Sequence, residues 1–229
     1  MSRIENLAML QTVAAALEKI DEKFVFVGGA TTALYVGEDV GPHVRPTDDV
    51  DCIVELASTQ DFYKLDKKLR AGGFINSHRG PLCRMTYKGI TVDIMPTDSK
   101  ILGFSNKWYP DAINHATPAT LPNGKSINIL SIPFFFATKI EAYKHRGQND
   151  FRTSHDMEDI VTVLDGGTDV LDQLQKAPVS VQKYLKDEFK KFLENRLFIE
   201  SLEAHLSAPN TAKDRAKKIE EFLTDFAFH

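Results

Sequence analysis

Asp49 and Asp51 stand two residues apart in DDVDCIVEL (48–56), a run that alternates acidic and apolar residues. Alternation at period two marks a strand, so Val50, Cys52 and Val54 share one face and Asp49 and Asp51 the other. Asp48 falls on the apolar side, or just before the strand begins. Two carboxylates placed this way repel, and one is pushed towards protonation unless something intervenes. A divalent cation removes the conflict, and hard oxygen donors of this kind suit Mg2+; a solvated strand edge with both acids facing water removes it too. A second run, ITVDIM (90–95), sets Ile90, Val92 and Ile94 against Thr91, Asp93 and Met95, leaving Asp93 as a lone acid in an apolar strand. Charge is disfavoured within strands, so an acid there wants a partner. With this strand beside DDVDCIVEL, three carboxylates gather on one sheet face, the arrangement that two-metal phosphoryl transfer requires.

The elements that must position these acids begin with FVGGATTALY (26–35). An apolar strand from Phe24 to Val27 stops at Gly28–Gly29 and gives way to a helical pattern. Paired glycines serve as a strand-to-helix turn; they also let backbone N–H groups approach a phosphate at a helix N-terminus, with Thr31 adding a hydroxyl. Upstream, residues 3–20 carry Ile4, Leu7, Leu10, Val13 and Leu17 at helical spacing. Downstream come a polar, proline-containing loop (EDVGPHVRPT, 38–47), a helix over 58–71 stopped by Gly72–Gly73, and a hairpin over 82–95 turning at Lys88–Gly89. A long segment over 97–124 holds Trp108, Tyr109 and three prolines, and a strand follows at SINIL (126–130). From there the pattern is helical throughout: IPFFFATKIEAYKHR, HDMEDIVTVL, KYLKDEFKKFLENRLF with apolar positions at 185, 189, 192, 193 and 197, and IEEFLTDF. The shift near residue 130 predicts an α+β catalytic domain over 1–130, a mixed sheet flanked by helices. A C-terminal helical bundle over 131–229 then completes the substrate cleft.

At 229 residues, with 42% hydrophobic and 26% charged, the chain can bury a proper core and has an ordinary soluble composition. A net charge of −4 argues against a wholesale nucleic-acid surface, while Lys186, Lys190 and Lys191 and the run 213–218 leave room for a local basic stripe. On amphipathic helices such lysines are also the ordinary solvated face. Two cysteines, Cys52 and Cys83, are too few for a disulfide framework or a cysteine zinc site and read as buried thiols. The seven histidines show no H-x-H or HExxH spacing. The N-terminus lacks a signal-peptide pattern and no apolar run approaches the ~20 residues that span a bilayer, so the expectation is a cytoplasmic protein with no membrane partner.

A strand, Gly-Gly, a helix, then D-x-D, then a lone Asp on a later strand: this order resembles the nucleotidyltransferase superfamily, whose members share a polymerase β-like fold. Its signature of an apolar residue, Gly-Gly or Gly-Ser, a helix and D-x-D is matched by Val27-Gly28-Gly29 and Asp49-Val50-Asp51, with Asp93 as the third carboxylate. Within it the chain is most similar to the AbiEii/MenT-type toxins. Those add a lysine on a following helix and an R…DxxD-I/L element, matched by Lys139 and by Arg152…Asp156-Met-Glu-Asp159-Ile160. The resemblance covers about residues 24–165, and it departs from the compact members in the longer gap between Gly29 and Asp49.

That resemblance implies metal-dependent transfer of a nucleoside monophosphate from an NTP, ATP among them, to a hydroxyl acceptor, with Mg2+ or Mn2+ as cofactor. It makes Asp49, Asp51 and Asp93 the metal ligands and, with Lys139, the catalytic set. Gly28, Gly29, Thr31, Lys139, Asp156 and Asp159 become the nucleotide-binding set. In a toxin–antitoxin or phage-defence setting the acceptor is tRNA, other RNA or a protein hydroxyl, and a cognate antitoxin is expected. Two alternatives stay open: a small-molecule nucleotidyltransferase of the aminoglycoside-modifying kind, and a nucleotide-binding or protein-interaction module with a degenerate site. Individual residues also carry plainer readings. Lys139 can snorkel to water, and Asp156 can be the N3 acid of a helix capped by Thr153. Asp159 can pair with Lys139 or Arg152, Arg45, shortly before the D-x-D, can be a surface arginine as readily as a phosphate contact, and Trp108 and Tyr109 can be core rather than a base-stacking platform.

Overall fold

The structure is a computed structural model that describes residues 2–37, 40, 44–147 and 150–228. Residues 38, 39 and 41–43 of the predicted loop over 38–47 lie outside the described residues. The chain divides into two compact units, Met1–Leu34 with Arg45–Ser131, and Tyr35–Val44 with Ile132–His229. None of the described helices is long and apolar enough to cross a membrane.

The first unit is built around a sheet. Its elements are α1 (Ser2–Leu17), β1 (Phe24–Val27), α2 (Thr32–Tyr35, whose last residue passes to the second unit), β2 (Asp49–Val54), α3 (Thr59–Ala71), β3 (Ile75–Asn76), β4 (Arg84–Tyr87), β5 (Ile90–Pro96), α4 (Ser99–Leu102), α5 (Tyr109–Ala112), β6 (Thr117–Thr120) and β7 (Ser126–Ile129). Among the described residues the strands form one seven-stranded mixed sheet, ordered β3-β4-β5-β2-β1-β7-β6. β1 and β2 are central and read as buried apolar strands: Val25, Phe26, Val27, Val50, Cys52, Ile53 and Val54 are all at most 3% exposed. The hairpin between β4 and β5 turns on Lys88 and Gly89, both at positive φ (49° and 82°), the backbone of the tight turn that matches strand twist.

Two strands went unseen in the sequence pattern, both at sheet edges. β3 is two residues long, and β6 (TPAT) contains Pro118, which lacks an N–H and is tolerated only where a strand has an open side. Leu10, Val13 and Leu17 of α1 are buried as the helical spacing predicts, while Ile4 is 74% exposed because the packed face begins a turn later. The buried Asn6 of α1 has a specific task. Its side chain donates to the Arg45 carbonyl and accepts from the Thr47 N–H, pinning the segment that enters β2.

The second unit is helical: α6 (Ile132–Arg146), α7 (His155–Gly166), α8 (Val170–Gln175), α9 (Val179–Leu193), α10 (Arg196–His205) and α11 (Pro209–Phe228). α6 is buried on nearly every side, as an all-round apolar helix must be. Its Tyr143 packs with Phe151, Phe192 and Phe198 in a cluster that is mostly edge-to-face, at centroid distances of 5.0–6.1 Å. The periodic run 183–198 is not one helix. It ends at Leu193, and Asn195 caps a new one by accepting from the Leu197 N–H, which leaves Leu197 62% exposed.

Candidate active site

The Val27↔Asp51 pairing of antiparallel β1 and β2 sets the first glycine turn against the acids. Gly28 follows at φ 74°, a left-handed conformation that favours glycine. A side chain is excluded for a second reason: a Cβ on Gly28 would fall inside the contact radius of Asp51 Oδ2. The glycine therefore makes room for a carboxylate. Gly29–Thr31 then forms one 3-10 turn, and the Thr31 hydroxyl donates to the Gly28 carbonyl at 2.8 Å, tightening it.

β2 and β5 run parallel with Asp49↔Thr91 and Asp51↔Asp93 in register. Strands in register present paired residues to the same face, so Asp51 and Asp93 are neighbours and Asp49 lies one pleat away. One carboxylate oxygen from each of Asp49, Asp51 and Asp93 lies within 4.8 Å of the other two. Asp49 also accepts from the Thr47 hydroxyl at 2.9 Å, so the Asn6-pinned segment orients the first acid.

Asp93 is more deeply set than the pattern of ITVDIM indicates, at 6% exposed, and it is covered by a residue the sequence reading passed over. Arg84 of β4 lies directly across from it and forks onto both oxygens, Nε to Oδ1 at 2.9 Å and Nη2 to Oδ2 at 2.7 Å. The signal was present: a two-residue turn at Lys88–Gly89 pairs Tyr87 with Ile90, and three steps back from each end reach Arg84 and Asp93. The hydrogen-bonded Asp93 carboxylate raises the Arg84 guanidinium further above its ordinary value, and Asp49 and Asp51 add to the effect. Burial pushes the Cys52 thiol well up, with Asp51 contributing, and likewise takes Cys83 to about 12, with Asp93 contributing. Neither thiol ionises near neutrality, so the donors offered here are carboxylate oxygens, a set that fits Mg2+ or Mn2+.

Lys139, Asp156 and Asp159 gather in the second unit. Lys139 Nζ lies 3.2 Å from Asp156 Oδ1 and 2.5 Å from Asp159 Oδ2, and all three residues are at most 5% exposed. Arg146 forks onto Asp156 at 2.9 and 2.8 Å. Burial by itself raises the Asp156 carboxyl; Arg146 and Lys139 outweigh it and hold it below the ordinary carboxylate range. The helix cap falls one residue later than the sequence suggests. Ser154 accepts from the Met157 N–H, because the Thr153 hydroxyl is given to Asp150. Of the remaining candidates, Trp108 is core at 8% exposed, and Tyr109 opens α5 beside it. Lys186 and Lys190 lie over the rings of Phe226 and Phe228, and Lys191 pairs with Glu188.

A mixed sheet with a glycine turn against paired aspartates on neighbouring strands defines a nucleotidyltransferase-type fold. The solved structures agree. An antigenic nucleotidyltransferase-like protein from Paracoccidioides brasiliensis superposes with a TM-score of 0.52 at 19% identity, over 95% of this chain and 94% of that one. The antibiotic-resistance factor ANT(2'')-Ia gives a TM-score of 0.50 at 10% identity, over 85% of this chain and 97% of that one. The profile of the family described as nucleotidyl transferase AbiEii toxin, type IV toxin–antitoxin system, matches residues 11–228. The chain belongs to this AbiEii nucleotidyltransferase family. A search of curated proteins returned no match.

Proposed function

We propose that the protein is a metal-dependent transferase that moves a nucleoside monophosphate from an NTP to a hydroxyl acceptor, as the toxin of a toxin–antitoxin or phage-defence pair. The observation that carries it is the in-register pair Asp51–Asp93 with Asp49 one pleat away, their oxygens within 4.8 Å and Gly28 trimmed to admit Asp51. Asp49 and Asp51 hold Mg2+ or Mn2+, and Asp93 completes the ligand set. When bound, the cation neutralises the triphosphate and lowers the barrier at the α-phosphorus. Asp93 also accepts the proton of the attacking hydroxyl; a bond forms from that oxygen to the α-phosphorus, and the bond to the β-phosphate oxygen breaks, releasing pyrophosphate. The Gly28–Gly29 turn offers backbone N–H groups to the phosphates, with Thr31 holding the turn closed. From the order of the sequence motif we assign Lys139 to the nucleotide's phosphates, with Asp156 and Asp159 as the acids that hold it.

The acceptor on this reading is RNA, a tRNA 3′ end in particular, or a protein hydroxyl, in the cytoplasm and under control of a cognate antitoxin. The test incubates purified protein with Mg2+ and each labelled NTP, ATP included, against total RNA, protein and aminoglycosides. Label in RNA or protein that disappears with Asp49→Ala/Asp51→Ala supports the reading. Label in aminoglycosides alone replaces the acceptor class. No transfer in any arm, with no NTP-induced thermal shift, removes the enzyme reading.

A further inference from the structure

Arg84 is a feature of the acidic cluster that metal chemistry does not call for. Its fork takes a lone pair on each oxygen of Asp93, at 2.9 and 2.7 Å, in a carboxylate only 6% exposed. The segment before the arginine is shaped to it: Gly80, at φ 103°, lets the side chain pass close, a Cβ there coming 3.0 Å from the Arg84 Cδ, and the Arg84 backbone N–H donates to the Pro81 carbonyl at 3.0 Å. A planar guanidinium forked onto both oxygens of one carboxylate is a specific counterion, unlike a lysine sweeping through solvent.

We propose that Arg84 is a positioning residue that serves as an internal counterion to Asp93: it orients the third carboxylate and competes with a divalent cation for its oxygens. This rests on the reading of Asp49, Asp51 and Asp93 as a metal site. Asp49 and Asp51 then form the primary cation-binding pair. Asp93 joins only as the guanidinium yields part of its fork, so Arg84 restrains cation loading in the resting protein. The direction follows from elementary electrostatics: a fixed positive charge in hydrogen-bond contact with a ligand carboxylate lowers the affinity of that carboxylate for any other cation.

The experiment measures Mn2+ binding to the full chain by electron paramagnetic resonance, without nucleotide, for the wild type, Arg84→Gln, Arg84→Lys and Asp51→Asn. Arg84→Gln should bind Mn2+ about tenfold more tightly than wild type, the size of effect a neighbouring charge has on a carboxylate. Arg84→Lys, which keeps the charge but loses the fork, should fall between them. A second measurement needs no variant: the Arg84 Nε–H resonance in 15N spectra of the wild type should shift as Mg2+ is added. An Arg84→Gln affinity equal to or weaker than wild type, or an Nε–H resonance that Mg2+ leaves unmoved, overturns the proposal even where Asp51→Asn abolishes binding. Mn2+ binding that survives Asp51→Asn removes the metal site itself, a separate failure.

Discussion

The protein contains two clusters of aspartates, and they solve the problem of buried charge in opposite ways. In the first unit Asp49, Asp51 and Asp93 crowd one another on adjacent strands, with Arg84 meeting Asp93 and a hydroxyl meeting Asp49. In the second unit two acids, Asp156 and Asp159, meet two bases, Lys139 and Arg146, across α6 and α7. Like charges held together by a sheet register cost stability unless a ligand arrives; opposite charges matched within a helical core stabilise the fold once made and are costly to break. A bound cation would relieve the first arrangement; the second is already balanced by its own side chains.

That contrast can be broken experimentally, and the largest effect should come from the matched cluster. Lys139→Met leaves two buried carboxylates short of their cation and should lower stability by about 3–5 kcal/mol in urea unfolding. A loss below about 1 kcal/mol would mean that the pair is not a structural element, and would leave Lys139 with its nucleotide role alone. Asp51→Asn should act the other way. Relief of repulsion should keep unfolding free energy within about 0.5 kcal/mol of wild type or above it. Nucleotide transfer should fall by about 10²–10³-fold or more in single-turnover assays, as when a group that stabilises the transition state is lost. If Asp51→Asn unfolds the protein instead, the two clusters are alike.

Gly28→Ala sharpens the comparison within the first unit. Its Cβ must displace Asp51 and adopt a left-handed backbone, for a cost of about 1–3 kcal/mol by calorimetry, with a parallel loss of Mn2+ binding. The smallest effect concerns pH. Asp156 titrates lower in the folded chain than unfolded, so its contribution is present above the ordinary carboxylate range near ~4 and is lost as pH falls through the depressed value. Arg146→Met raises that value, and the acid-unfolding midpoint followed by circular dichroism should move up by about 0.5 pH unit. An unchanged midpoint would show that Lys139 holds Asp156 without help.

Much of this was legible from alternation alone. DDVDCIVEL and ITVDIM declared their strands and the facing of their acids, and the Lys88–Gly89 turn declared the hairpin, while the Arg84–Asp93 pairing that this turn fixes went unread. The family could be read from the order of glycines and aspartates, and the matching profile and the two superposed folds bear out that reading. What escaped was short or edge-bound. β3 and β6 carry too few alternating positions to register, and the break at Glu194–Asn195 hides inside a run whose apolar spacing continues to Leu197. The shifted cap at Ser154 escaped because Thr153 and Ser154 are equally good caps until Asp150 claims the threonine hydroxyl.

By itself, then, the sequence determined which residues are acidic, which strand face each occupies and where the chain turns on glycine, because period-two alternation and turn preferences are local properties. Only the tertiary structure decided that β5 lies parallel to β2 with Asp93 level with Asp51, and that Lys139 is enclosed by Asp156 and Asp159. Strand order and helix packing join residues 42 positions apart in one case and 17 or 20 in the other. No spacing rule reaches across such distances; burial of the surrounding apolar faces sets them.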